Sequence, residues 1–458
     1  MSESSEFQSK TSRSALIQTN YGALVGTSRG GCMAYLGIPF AKPPVGELAF
    51  KHPLPPDPWQ GVLKADEGSC NPIQAEAGFK VRNNSQDCLY LNVFVPEAEG
   101  SEADGAVGVK TPRPVMVWFY GGSYAQGGAG AVEKGSDELV YDLSLFARET
   151  GCVVVSFNYR LNLYGFLNLH CLDAECDANN GLFDQIMALR FVKENIAAFG
   201  GDPENITLFG QSAGGACILA LMSMPEAQGL FNKTIVQSAC IEHFFTEAES
   251  ERFTKAYMRI AGVKSVAELK ALDEAQICEA NREYSHWLMM RRGDVRCAFS
   301  PIIDGVTLRE EPKEAVKRST ITMMIGNTTQ EANLFLENYP DFILPVATKL
   351  IHLKVPGGRG SYKQRACDAL TTHIYVRPQL EILKEYQGTA YRYVYNHPLP
   401  ASHQGCFHAC ELPILFGTKM MGADGALDPF GQSLRAIWGK FAKDSNPGWT
   451  RGHVRVIE

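Results

Sequence analysis

The chain reads Gly210-Gln211-Ser212-Ala213-Gly214 after the apolar run Ile206 to Phe209 and before the apolar run Ala216 to Met222. A serine between two glycines, at the junction of a strand and a helix, is the arrangement that exposes a hydroxyl on a tight turn for nucleophilic attack. Such a hydroxyl needs a base, an acid to orient the base, and donors for the oxyanion that develops. Upstream, Pro114 to Tyr120 runs into Gly121-Gly122-Ser123. A glycine-rich loop after a strand lets bare N–H groups approach a developing negative charge, so Gly121 and Gly122, with Ala213 just after the serine, are the expected oxyanion donors. Downstream the expected order is acid and then histidine. Ten histidines compete for the base, and spacing alone does not choose among them.

These residues require a rigid frame. Val115 to Tyr120 and Cys152 to Phe157 are continuous β-branched and aromatic runs, the pattern of strands covered on both faces of a mostly parallel sheet. Asp184 to Gly201 carries apolar residues at helical spacing and stops at Gly200-Gly201, and further strands are expected at Thr234 to Ala239 and Ile321 to Gly326. The alternation predicts a doubly wound α/β fold built as one domain. Within it, N-terminal antiparallel strands are expected over about 17–110, the catalytic core over about 111–240 and 300–458, and a helical cap insertion over about 241–299. A chain of 458 residues with 45% hydrophobic and 20% charged residues buries a large core. Its net charge of −7 has the wrong sign for a phosphate-binding surface, so nucleic acid is not an expected partner. The polar amino terminus and the lack of a long apolar run predict neither a secretory signal nor a membrane span, which reads as a cytoplasmic protein.

Many segments resemble the type-B carboxylesterases, the family that includes the cholinesterases and the bacterial para-nitrobenzyl esterases. YLGIPFAKPPVGELAF, SQDCLYLNVFVP, NYRLNLYGFL, NNGLFDQIMAL, NIAAFGGDPENITLFGQSAGG, FSPIIDG and GCFHACELPILFG follow the family's order, and the likeness runs from about Gln18 to Pro447. It implies an α/β-hydrolase fold with a large, mostly parallel sheet flanked by helices. It also implies a Ser212, Glu331, His408 triad: Glu331 stands five residues after Gly326, and His408 fills the pattern Gly405-x-x-His408-x-x-Glu411-Leu412. By the same resemblance Cys70 and Cys88 form a disulfide, and Arg160 pairs with Asp184. Ala49 and Gln86 stand where the family has an arginine and a glutamate, so a second ion pair has been lost from both sides at once.

The implied activity is hydrolysis of small to medium apolar or aromatic carboxylic esters through an acyl-enzyme, with no metal or cofactor. The same machinery would serve amides, carbamates, lactones or acyl transfer, and a binding module that has lost catalysis is the rival of another class. The compact chain resembles the bacterial esterases, and the loop between Cys70 and Cys88 lacks the tryptophan with which cholinesterases hold a quaternary ammonium. Candidate pocket residues are Tyr124, Phe244, Phe245, Trp287, Met289 and Met290. Cys406 and Cys410 flank His408, but no second ligand cluster of zinc spacing accompanies them in sequence.

Overall fold

The computed structural model describes residues 16–75, 83–97, 111–132, 138–292, 296–337, 339–400 and 402–458, without the side chains of 290–292. Its frame is a ten-stranded sheet. In chain order the strands are β1 (Thr27–Arg29), β2 (Cys32–Pro39), β3 (Tyr90–Pro96), β4 (Arg113–Phe119), β5 (Val153–Phe157), β6 (Gly201–Gln211), β7 (Lys233–Gln237), β8 (Thr322–Thr328), β9 (Ala390–Tyr395) and β10 (Val454–Ile457). Across the sheet they lie β1-β2-β3-β5-β4-β6-β7-β8-β9-β10. The first three pair antiparallel, as does β3 with β5, and every later pairing is parallel. The fold is that of an α/β-hydrolase, as the resemblance implied.

The central strands form where the sequence is most uniformly apolar. All five residues of β5 are buried, and so are Val115 to Phe119 of β4. Strands buried on both faces need helices above and below, and these come from α1 (Asn180–Asn195), α2 (Ala213–Ser223) and α5 (Gly431–Asp444) among others. The expected helix over Asp184 to Gly201 starts earlier than its periodicity suggested, and its last turn tightens to a 3-10 helix, Ile196–Phe199.

Between β7 and β8 the chain leaves the sheet to form α3 (Glu247–Ile260) and α4 (Glu274–Arg292). Thr246 and Glu249 cap α3 reciprocally, each side chain accepting from the other's backbone N–H. Arg296 joins this cap from beyond α4, pairing with Glu249 at 2.7 Å, donating to the Phe244 carbonyl and stacking on the Phe245 ring at 4.7 Å.

After β5, Arg160 and Asp184 are buried together, with Nε to Oδ2 at 2.8 Å and Nη2 to Oδ1 at 2.7 Å. The remaining guanidinium nitrogen, Nη1, donates to the Ala49 carbonyl at 3.2 Å, and Gln86 donates to the Tyr164 hydroxyl at 2.9 Å. At the positions where the family's second ion pair is missing, the Ala49 carbonyl thus accepts from the Arg160 guanidinium and Gln86 bonds to a neutral hydroxyl.

Candidate active site

β6 ends in Gln211, and the chain turns at Ser212 with φ 58° and ψ −124° before entering α2. A serine at positive φ is strained and persists only where its surroundings fix it. Here they do: a Cβ on Gly214 would lie 2.1 Å from the Phe119 carbonyl oxygen, and one on Gly210 2.8 Å from the Phe119 Cβ. The two glycines of the motif are therefore demanded by the close approach of α2 to β4. The Ser212 amide is anchored to the Gln237 carbonyl at 2.9 Å.

The loop after β4 lies directly above this turn. A Cβ on Gly121 would sit 3.0 Å from the Ser212 Cβ, and Gly122, at φ 109°, has the Gln126 carbonyl oxygen where a side chain would be. Among the described residues, no acceptor takes the N–H of Gly121, Gly122 or Ala213. Three donors beside one hydroxyl, with nothing to donate to, can bind an anionic oxygen.

Glu331 follows β8 and is fully buried. Its Oε1 accepts from the Ser238 hydroxyl at 2.6 Å and the Thr328 N–H at 2.7 Å, and its Oε2 accepts from His408 Nδ1 at 2.5 Å. Burial disfavours the imidazolium of His408, but the charge and hydrogen bond of Glu331 outweigh it, so the pKa lies above the ordinary histidine value. With its proton on Nδ1, His408 offers Nε2 as a base. That lone pair accepts from the Gln211 side-chain amide at 3.0 Å. The Ser212 hydroxyl, among the described residues, contacts the Cys240 thiol at 3.9 Å and makes no hydrogen bond to His408. Glu411 is buried near Glu331, and burial followed by the charge of Glu331 pushes its carboxyl up to about 7.

The structure brings Ser212, Gly121, Gly122, Ala213, Glu331 and His408 together, and places the other expected residues as follows. Phe245 and Trp287 pack on Phe253 inside the helical insertion, since rings that could line a pocket serve equally well to join two helices. Tyr124 is fully buried against Phe166, Phe244 is buried, and Met289 is exposed; the Met290 side chain lies outside the described residues. The aromatic rings beside the imidazole are instead Phe335 and Tyr375, at 5.4 and 5.1 Å. No periodicity marks either one: Phe335 sits on one short helical turn and Tyr375 on a π-helical turn, Thr372–Val376. Cys70 and Cys88 are free thiols, not a disulfide. The ends of their loop are tied otherwise, by pairing of Asn71 with Asn84 and by Asn158 donating to the Cys70 carbonyl at 2.8 Å.

Residues 13–355 match the carboxylesterase family. The chain belongs to that family. It is 33% identical to the para-nitrobenzyl esterase of Bacillus subtilis (strain 168), over 97% of this chain and 94% of that protein. It is 28% identical to the cholinesterase of Mus musculus, over 97% of this chain and 81% of that protein. Among solved structures, a PNB esterase superposes with a TM-score of 0.80 at 31% identity, covering 97% of this chain and 96% of that one. A carboxylesterase of Geobacillus stearothermophilus does so with a TM-score of 0.80 at 29% identity and the same coverage. The family member described here is a carboxylic ester hydrolase, and no described helix is long and apolar enough to cross a membrane.

Proposed function

We propose that this carboxylesterase hydrolyses small to medium apolar or aromatic esters through an acyl-enzyme on Ser212. His408 takes the serine proton as the hydroxyl attacks the acyl carbon, returns it to the leaving alcohol, and then activates the water that releases the acid. Glu331 keeps the proton of neutral His408 on Nδ1 and stabilises the imidazolium. The N–H groups of Gly121, Gly122 and Ala213 stabilise the tetrahedral oxyanion, where loss of one donor typically costs about 3 kcal/mol of barrier. Phe335 and Tyr375 give an apolar wall beside the base. Residues 241–299 act as a cap on this site within a single domain.

The observation that carries the reading is the 2.5 Å bond from His408 to a Glu331 already fastened by Ser238 and Thr328. The test is hydrolysis of p-nitrophenyl esters from acetate to octanoate by the wild type and Ser212→Ala. Turnover with a chain-length optimum, abolished in the variant, is the expected result. Turnover that survives in Ser212→Ala would remove the serine from its role. If a folded wild type shows no turnover, labelling of Ser212 by a phosphonate separates an unsuitable substrate from a non-catalytic protein.

A further inference from the structure

Beside Ser212 lies a group of side chains that the hydrolytic mechanism leaves unused. Cys240 and His243 occupy the turn after β7, and Cys297 arrives from the segment that follows α4. Their ligand atoms all fall within 4.8 Å of one another, and all three residues are buried. His243 Nδ1 stands 3.4 Å from the Cys297 sulfur and accepts the Cys297 backbone N–H at 3.3 Å. That bond keeps Nδ1 unprotonated and aimed at the sulfur, which is the form in which imidazole binds a metal.

The spacing suits one ion. Tetrahedral zinc, with its usual bond lengths to thiolate and imidazole, sets nitrogen and sulfur roughly 3.5 Å apart and two sulfurs roughly 3.8 Å apart. Two soft sulfurs and an imidazole select a thiophilic divalent cation over magnesium or calcium. Three protein donors leave the fourth position open. The Ser212 hydroxyl is 3.9 Å from Cys240. The buried Tyr124 hydroxyl, within electrostatic reach of both thiols, has no partner among the described residues.

We propose that Cys240, His243 and Cys297 form a binding site for a thiophilic divalent cation of the zinc class, and that filling it silences Ser212. The cation displaces the thiol protons to solvent, and two thiolates with one neutral imidazole neutralise its charge. Its open position faces the nucleophile, so the bound ion, or a water it carries, occupies the approach of the acyl group. Access is through the active site, where Ser212, Cys240, His243 and Cys297 each retain 5–9% of their exposure. The Cys240-x-x-His243 spacing is visible in the sequence, but its third member lies beyond the helical insertion and only the fold brings it near.

The full chain, stripped with a chelator and held reduced by a phosphine, is titrated with cobalt(II) and then zinc. One equivalent of cobalt should give a thiolate-to-cobalt charge-transfer band that zinc abolishes. Cys240→Ser and Cys297→Ser should each lose most of the band, and His243→Gln should weaken zinc binding at least about tenfold. Circular dichroism confirms that each variant is folded, and the three variants change three separate side chains, so the failure of one to fold leaves the others informative. Absence of the band in wild type, or its survival in both cysteine variants, overturns the site. The silencing rests on the esterase reading: zinc should inhibit p-nitrophenyl ester hydrolysis reversibly, with the inhibition constant raised at least about tenfold in His243→Gln. Unchanged hydrolysis with the site saturated overturns the silencing. The cobalt band reads the site even if no ester is turned over, so failure of the site and failure of the esterase reading are distinguishable.

Discussion

At the scale of single residues, the base is held between a carboxylate and an amide. Glu331 fixes one ring nitrogen of His408, and the neutral Gln211 donates to the other, where the proposed mechanism delivers the serine proton. On that mechanism Gln211 has to yield before His408 can act, and its lack of charge matters. Gln211→Glu would set a second carboxylate against the imidazole and stabilise its protonated form. Because only the neutral ring accepts a proton, the rising limb of kcat/KM against pH should move to higher pH in Gln211→Glu; a limb that stays in place would show that the two groups are not in contact during turnover. A second expectation concerns Glu411, whose carboxyl is pushed up to about 7. Its ordinary value is near 4.5, so between about 4.5 and 7 the folded chain holds a proton the unfolded chain has lost, and stability falls as pH rises. Glu411→Gln removes that penalty. Its stability should equal or fall below that of the wild type at pH 4.5 and exceed it at pH 8, with a relative gain of about 3 kcal/mol between the two. Thermal melts at the two pH values check the crossover.

At the scale of elements, the site is made by three junctions: β4 to its glycine loop, β6 to α2, and β8 to Glu331. Ser238, just past β7, reaches sideways to hold that glutamate. The tightest junction is β6 to α2, where Gly214 presses on the Phe119 and Tyr120 carbonyls. Gly214→Ala should lower stability by about 1–3 kcal/mol or more through overpacking, and slow phosphonate labelling of Ser212 as the turn shifts. Both are measurable on one preparation by urea unfolding and by mass spectrometry. The strands were legible because β4, β5, β7 and β8 each hold a run of apolar residues, such as Val115 to Phe119 and Met323 to Ile325, and the serine turn because glycine is compulsory on either side of it. Other features were not. The roles of Phe245 and Trp287 depend on which helix they meet, and Tyr375 reaches His408 only because the helix beneath it loosens to a π turn, a change with no sequence pattern. His408 itself stood out from ten histidines only by its likeness to a family, since a lone histidine carries no periodicity.

At the scale of the whole molecule, two distant regions share the task of rigidity. The candidate site lies at the carboxyl ends of the parallel strands, and the buried Arg160–Asp184 pair clamps α1 to the segment after β5. Breaking one side of such a pair leaves an uncompensated charge. Arg160→Met should cost about 3–5 kcal/mol, whereas Arg160→Met with Asp184→Leu should recover much of it. A double variant that loses as much as Arg160→Met and Asp184→Leu do together would show that the pair is not coupled.

The three N–H groups of Gly121, Gly122 and Ala213 lie at the edge of the most ordered part of the sheet, yet none is fastened to an acceptor among the described residues. Protection against deuterium uptake follows hydrogen bonding as much as depth. These amides should therefore exchange faster than those of the neighbouring strands β4 and β6, a small unprotected patch at the heart of a protected sheet. When a phosphonyl group is attached to Ser212 its oxygen should become their acceptor, and their exchange should slow while the surrounding sheet stays unchanged.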